Sequence, residues 1–380
     1  MIQRVRNRFG YGAPPAPPGR LVYRADDSAQ AAAKDGFSRL PFHEELPSTA
    51  LQEALLRTPS QDSALVESFL RVLGRLPLRS AMATTRLAAW DCGDYVQEYV
   101  AFQISENQWA PSYVLVPKGA KEPRPALVAI HGHGGNLLWG KSKVTAIRKG
   151  NATYGYGLRL VREGYVVLSP DLLGFEDRSF NETISPGPWN LDTERLLFGN
   201  LLLQGATLLG WNLLELSRAV DYLETRDDVD KERIGVIGHS MGGTLAPLLG
   251  LFDRRVQTVV ASCGVGTWKT MMARDVIHNF SCYAPGLLQT VGDLDVLLAA
   301  LCPRPFMVIA GEQDDNFPVA GVRQLADALR TSYDASGSGA ALEVRIDGEG
   351  HHFHEGRQEM TVAFLKRWLP IQAKQAAIPT

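Results

Sequence analysis

Four cysteines in 380 residues (Cys92, Cys263, Cys282 and Cys302) are too few and too unevenly spaced for a disulfide framework, and no C-x-x-C pair occurs. That usage suits a reducing compartment, although an isolated disulfide stays open. A surplus of one charge is also missing. With 39 basic against 41 acidic residues and a net charge of −2, the chain offers little to a nucleic-acid backbone or an anionic membrane. No apolar run reaches the roughly 20 residues of a membrane span. The opening MIQRVRNRF lacks an apolar h-region and is too short and serine-poor for a transit peptide, so it reads as a solvated arm. The expected compartment is the cytoplasm. His131, His133, His351 and His352 could be brought together, but neither H-E-x-x-H nor a comparable ligand spacing is present. No metal and no cofactor is expected.

What remains is an ordinary globular balance, 45% hydrophobic and 21% charged. It fits one large α/β domain with an extension, or two small domains. Residues 1–47 read as an arm, with APPAPPG at 13–19 favouring extended polyproline geometry. Thr49 with Gln52 forms a capping box for one helix, and Leu65, Val66, Phe69, Leu70 and Leu73 line one face of a second, closed by Gly74. These helices need a surface to cover. The division is therefore an arm and helical extension over 1–85 and a catalytic domain over 86–375.

Within that domain, Tyr95–Ile104 and Ala110–Val116 read as an antiparallel hairpin, followed by the buried strands ALVAI and GYVVLS. Leu201–Thr225 reads as one long buried helix with Trp211 in the core, leading through RDDVDKE to the next strand. Glu176, Asp177 and Arg178 read as an ion-pair cluster near a pocket rim. After VQTVVASC, residues 264–301 interrupt the strand–helix rhythm as a lid-like insertion. Its Trp268, Met271, Met272, Phe280 and Tyr283 supply bulk suited to lining a substrate pocket.

The chemistry concentrates in Arg233–Gly243, RIGVIGHSMGG, where an apolar strand runs into G-x-S-x-G and a helix follows. A serine raised on so sharp a turn needs small neighbours two residues away on each side, and Gly238 and Gly242 provide them. Ser240 is the candidate nucleophile and the Met241 N–H one candidate oxyanion donor. The strand ALVAI ends in His131-Gly132-His133-Gly134-Gly135, whose glycines allow close backbone approach, and the His133 N–H is the candidate second donor. An Asp follows the strand FMVIAG and a His follows LEVRI, in the order Ser, Asp, His. Asp315 adjoins Asp314, and His352 and His354 adjoin His351; Asp314 and His351 are preferred.

These stretches resemble the α/β-hydrolase superfamily, in its dienelactone hydrolase and acetylxylan esterase-like branch. HGHGG, GYVVLSPDLLGFEDR, VDKERIGVIGHSMGG, RPFMVIAGEQDDNFP and GEGHHF carry the resemblance across roughly residues 95–365. It implies the α/β-hydrolase fold, a mostly parallel central sheet flanked by helices. The branch's G-x-x-D-x-x-x-P places the acid on Asp314, and its histidine after G-x-G falls on His351. Dienelactone hydrolases proper use a cysteine where Ser240 stands, which favours esterase-like chemistry. The implied function is hydrolysis of carboxylic esters of small or medium soluble substrates through an acyl-enzyme. Acyl transfer or C–C bond hydrolysis with the same triad is the alternative, and a non-catalytic binding role is disfavoured by the intact triad. The expected partners are a small-molecule ester or acyl substrate and a second copy of the chain, bound through the N-terminal extension. Neither nucleic acid nor membrane is expected.

Overall fold

In the computed structural model, the described residues are 14–37, 45–55, 64–119, 121–148, 151–179, 191–276 and 278–371. The opening MIQRVRNRF, and Asp62 at the start of the second expected extension helix, lie outside them. Ten strands form one sheet: β1 Arg20–Arg24, β2 Thr84–Asp91, β3 Tyr95–Gln103, β4 Trp109–Pro117, β5 Arg124–Ile130, β6 Val166–Pro170, β7 Val229–His239, β8 Val256–Ser262, β9 Phe306–Gly311 and β10 Leu342–Asp347. Their spatial order is β1-β2-β3-β4-β6-β5-β7-β8-β9-β10. The pairings from β6 through β10 are all parallel, and those joining β1 to β4 and β4 to β6 are antiparallel.

The central parallel strands β5, β6 and β9 are apolar runs, as strands covered on both faces must be, whereas the edge strand β10, LEVRID, is only partly buried. Residues 125–130 of β5 and 306–311 of β9 are buried throughout. The hairpin expected over 95–116 is β3–β4, and β2, which carries no clear strand signal, pairs along its outer edge. TTRLAAWD lacks a clear alternation; backbone pairing on both sides recruits it rather than side-chain pattern. β1 then adds to β2, so part of the expected arm is an edge strand with every side chain exposed.

The helix expected over 201–225 is two helices, Leu191–Leu203 and Leu208–Glu224. Gly205 takes φ +72°, and Thr207 caps the second helix by accepting from the Gly210 N–H at 2.9 Å. A local cap thus outweighs the continuous apolar pattern. Residues 208–223 are buried, Trp211 completely, and its Nε1 donates to Glu215 Oε1 at 2.7 Å. β7 also starts earlier than expected, at Val229, and takes in VDKE.

The extension packs on this body. Gln52 N donates to Thr49 Oγ1 at 3.3 Å, and Val66, Phe69, Leu70 and Leu73 join the same core as the sheet. Arg79 pairs with Glu53 (3.0 Å) and with Asp221 of the helix 208–224 (3.1 Å). Among the described residues no single helix is long and apolar enough to cross a membrane.

Candidate active site

The site assembles at the C-terminal ends of the parallel strands, where α/β sheets place their ligands. β7 delivers Ser240, which sits at φ +60°, ψ −122°, ahead of the helix Met241–Phe252. Its N–H donates to Ser262 O at 2.9 Å, and its carbonyl accepts from Thr244 N at 3.0 Å, so both sides of the strained residue are held. The turn tolerates no side chain beside it. A Cβ on Gly238 would lie 2.1 Å from Gly242 O, and one on Gly242 would lie 2.1 Å from Ile130 O.

β9 and β10 run in parallel register with Gly311 opposite Asp347, so the loops leaving them emerge side by side. Glu312 N donates to Asp347 O (2.8 Å) and Gln313 N to Glu349 O (3.0 Å), tying the two loops together. His351 Nε2 lies 2.9 Å from Ser240 Oγ, and His351 Nδ1 lies 2.8 Å from Asp314 Oδ2. A carboxylate only accepts, so Nδ1 carries the proton and Nε2 presents its lone pair to the serine hydroxyl. Asp314 is buried, and its Oδ1 accepts from Asn316 N (2.9 Å) and Phe317 N (3.1 Å). Phe317 stacks on the His351 ring at 5.9 Å between centroids. Asp315 and His352 are exposed. His354 lies 3.5 Å from Asp347 instead.

The loop 131–136 runs beside the serine: a Cβ on Gly132 would meet His239 O at 3.1 Å and Ser240 Cβ at 3.3 Å. Gly132 is thus packed against the serine turn, and the Met241 N–H opens the helix that follows, where it has no partner within the helix. The two histidine side chains serve the loop. His131 Nε2 accepts from Leu172 N (3.2 Å), so its Nδ1–H faces Gly132 O (3.1 Å); burial, then the charge of Lys143, holds its pKa well below the usual value. His133 Nδ1 accepts from Gly135 N (3.1 Å), and its Nε2 lies 3.4 Å from the buried Glu194, whose Oε1 accepts from Ser281 N and Oγ.

Two buried lysines, neither singled out from the sequence, support the same region. Lys141 Nζ contacts Asp171 (2.7 Å), Glu176 (2.8 Å) and Asp177 (2.6 Å). Burial opposes its charge, but the three carboxylates hold its pKa well above the ordinary lysine value. The expected Glu176–Asp177–Arg178 cluster is therefore centred on Lys141, while Arg178 pairs with Glu215 at 2.8 Å. Lys143 Nζ donates to three backbone carbonyls, Gly132 (2.9 Å), His133 (2.7 Å) and Asn136 (3.0 Å). No sequence signal marks either residue, because a lysine in a polar segment ordinarily reads as solvated; here Lys141 caps the short helix Ser142–Thr145 and Lys143 lies within it.

A cleft of about 750 Å³ opens at Ser240 and His351, lined also by Lys143, Arg148, Tyr154 and His354. Trp268, Met271, Met272, Phe280 and Tyr283, expected in the pocket, are not among its lining residues. Trp268 and Met271 are buried in the core, and Met272 is 63% exposed. Phe280 and Tyr283 pack on Phe198 and Trp268 respectively. The physical reason is that the insertion folds as short helices that bury Trp268 and Met271 against the body and leave Met272 to solvent. It braces the acid loop instead: Trp268 meets the His278 ring edge-on, His278 packs on Phe317 at 4.5 Å, and its Nε2 lies 3.0 Å from Asn316 O.

A serine at positive φ on a strand–helix turn, with an acid loop and a histidine loop following later parallel strands of a mostly parallel sheet, is the arrangement of the α/β-hydrolase fold. The model of the prolyl oligopeptidase family matches residues 210–372. The Bacillus subtilis (strain 168) protein YtaP, whose name gives it as a hydrolase, is 28% identical over 303 residues, 79% of this chain and 97% of that protein. A carbohydrate esterase, MZ0003, from an unknown prokaryotic organism is 24% identical over 182 residues, 42% of each chain. Among solved structures, one from Bacteroides fragilis NCTC 9343 titled as an acetyl xylan esterase has a TM-score of 0.64 at 17% identity, covering 90% of this chain and 94% of that one. A glucuronoyl esterase from Solibacter usitatus has a TM-score of 0.59 at 17% identity, covering 80% and 90%. At such identities these structural likenesses speak to the fold.

Proposed function

We propose that this chain is a serine hydrolase that cleaves carboxylic esters of small or medium soluble substrates, in the dienelactone hydrolase and acetylxylan esterase-like branch. The observation that carries the reading is the continuous relay Ser240 Oγ, His351 Nε2, His351 Nδ1, Asp314 Oδ2, with contacts of 2.9 and 2.8 Å. In this reading Ser240 attacks the acyl carbon while His351 takes its proton. The same imidazolium then returns the proton to the departing alcohol, leaving an acyl-enzyme that water cleaves by the reverse steps. Asp314 stabilises the imidazolium and holds the ring in its tautomer. The N–H groups of Met241 and His133 receive the oxyanion; losing one such donor typically costs about 2.7–4 kcal/mol of barrier.

The esterase names carried by MZ0003 and by the two solved structures support an ester over other acyl substrates. The cleft supports a soluble one, since charged and hydroxylated side chains line it. The test is turnover of a panel of p-nitrophenyl and aliphatic esters by purified protein, with a fluorophosphonate probe alongside. Turnover with a single adduct on Ser240, absent in Ser240→Ala, is expected. No turnover and no adduct would reject the reading.

A further inference from the structure

Lys143 is an expensive residue to keep where it is. It is 5% exposed, and among the described residues it forms no ion pair with a carboxylate. A buried ammonium without a counter-ion is unfavourable, and an apolar side chain of similar length would avoid that cost. All three of its N–H groups are spent on carbonyls of one loop, those of Gly132, His133 and Asn136. Gly132 O also faces the Nδ1–H of His131 at 3.1 Å.

The chemistry follows from the peptide unit. Gly132 C=O and His133 N–H belong to the same planar group, so a cation on the oxygen draws density from the nitrogen and makes its hydrogen a stronger donor. The bond to His133 O fixes the next peptide as well, and the bond to Asn136 O fixes the loop's far end. We propose that Lys143 is a positioning residue, which in its protonated form orients and polarises the Gly132–His133 peptide so that its N–H stabilises the oxyanion formed at Ser240. The inference rests on the hydrolase reading above.

Its electrostatic setting matters for the test. Burial pushes the Lys143 pKa down to about 7; Arg148 pushes the same way, and Glu176 and Asp171 oppose it. The Lys143 charge also acts on His131, its ammonium contacts the backbone oxygen of His133, and its Nζ lies 4.9 Å from the Phe175 ring centroid. Lys143 also lines the cleft, so its charge acts where the oxyanion would form.

The experiment compares the parent with Lys143→Met and Lys143→Gln, using an ester the parent turns over and a trifluoromethyl ketone that forms an oxyanion on the serine. Lys143→Met should lose about 10²-fold in kcat, as removal of one oxyanion donor does, with KM changed less than about threefold. Its ketone affinity should fall by about the same factor as kcat/KM, and Lys143→Gln, which keeps a donor without the charge, should lose less. A folded Lys143→Met with parental kcat, or with reduced kcat and undiminished ketone affinity, would overturn the proposal. Should neither variant fold, the parent decides: ketone affinity should weaken as pH rises and Lys143 loses its proton, and constant affinity between pH 7 and 10 overturns the proposal. A parent without turnover or Ser240 labelling removes the hydrolase reading and this inference together, whereas an active parent with an unaffected Lys143→Met removes this inference alone.

Discussion

Replacing Asp314 by Asn isolates what the acid does, because the structure dictates how the amide must sit. Asp314 Oδ1 accepts two backbone N–H groups, from Asn316 and Phe317. An amide NH₂ placed there would meet two donors, so the Asn carbonyl keeps that position and the NH₂ turns to His351 Nδ1, 2.8 Å away. Nδ1 must then accept, which moves the ring proton to Nε2, the atom that has to receive the Ser240 proton. The fold should survive, since both backbone bonds persist and volume is unchanged, and Tm should shift by a few degrees at most. The catalytic loss should be about 10⁴ in kcat, as the same change gives in the serine-protease precedent, or about 5.4 kcal/mol of barrier. Initial rates on the parent's best ester, with circular dichroism melts in parallel, make the measurement. Asp315→Asn, at an exposed position with no bond to the ring, should stay within about tenfold of the parent. A folded Asp314→Asn keeping more than about a tenth of parental kcat would refute the tautomer argument.

Three further outcomes are expected. His351→Ala should lower kcat by several orders of magnitude while His352→Ala falls far less, because only His351 lies between Ser240 and Asp314; steady-state kinetics on both variants checks this. Trp268→Ala should cost about 3–5 kcal/mol of stability and depress all ester chain lengths alike, whereas the exposed Met272→Ala should change neither; urea melts and a chain-length series would expose a pocket role if selectivity moved instead. Burial, with nearby positive groups, holds the His131 and His239 pKa values well below the unfolded value of about 6.5, so the unfolded chain takes up protons as pH falls through that value while the native state does not. Stability should therefore drop between about pH 6.5 and 5, and a Tm that stays level over that window would count against both assignments.

Much of this molecule could be read locally. The elbow is legible because a serine at positive φ demands small neighbours, and Gly238 and Gly242 leave little else the segment could be. The strands at 124–130, 166–170 and 306–311 are legible because a parallel sheet covered on both faces needs unbroken apolar runs. The acid follows the strand 306–311, and the base follows the next strand, 342–347. Other features depended on partners far away in sequence. TTRLAAWD is flanked as a strand by β1 and β3, and Thr207, where the helix 208–224 begins, donates its hydroxyl to Leu73 O at 2.7 Å. Of the aromatic side chains in 264–301, Trp268 turned into the core while Phe280 and Tyr283 are half-buried, and the cleft is lined by residues from 132–156, 239–240 and 349–354. The two lysines are the sharpest case. Lys141 and Lys143 stand two apart, at the cap and inside one short helix, yet one is held by three carboxylates and the other by three carbonyls. Sequence fixes a side chain's chemistry and its local backbone options, but burial and the choice of hydrogen-bond partner belong to the surfaces that folding brings around it.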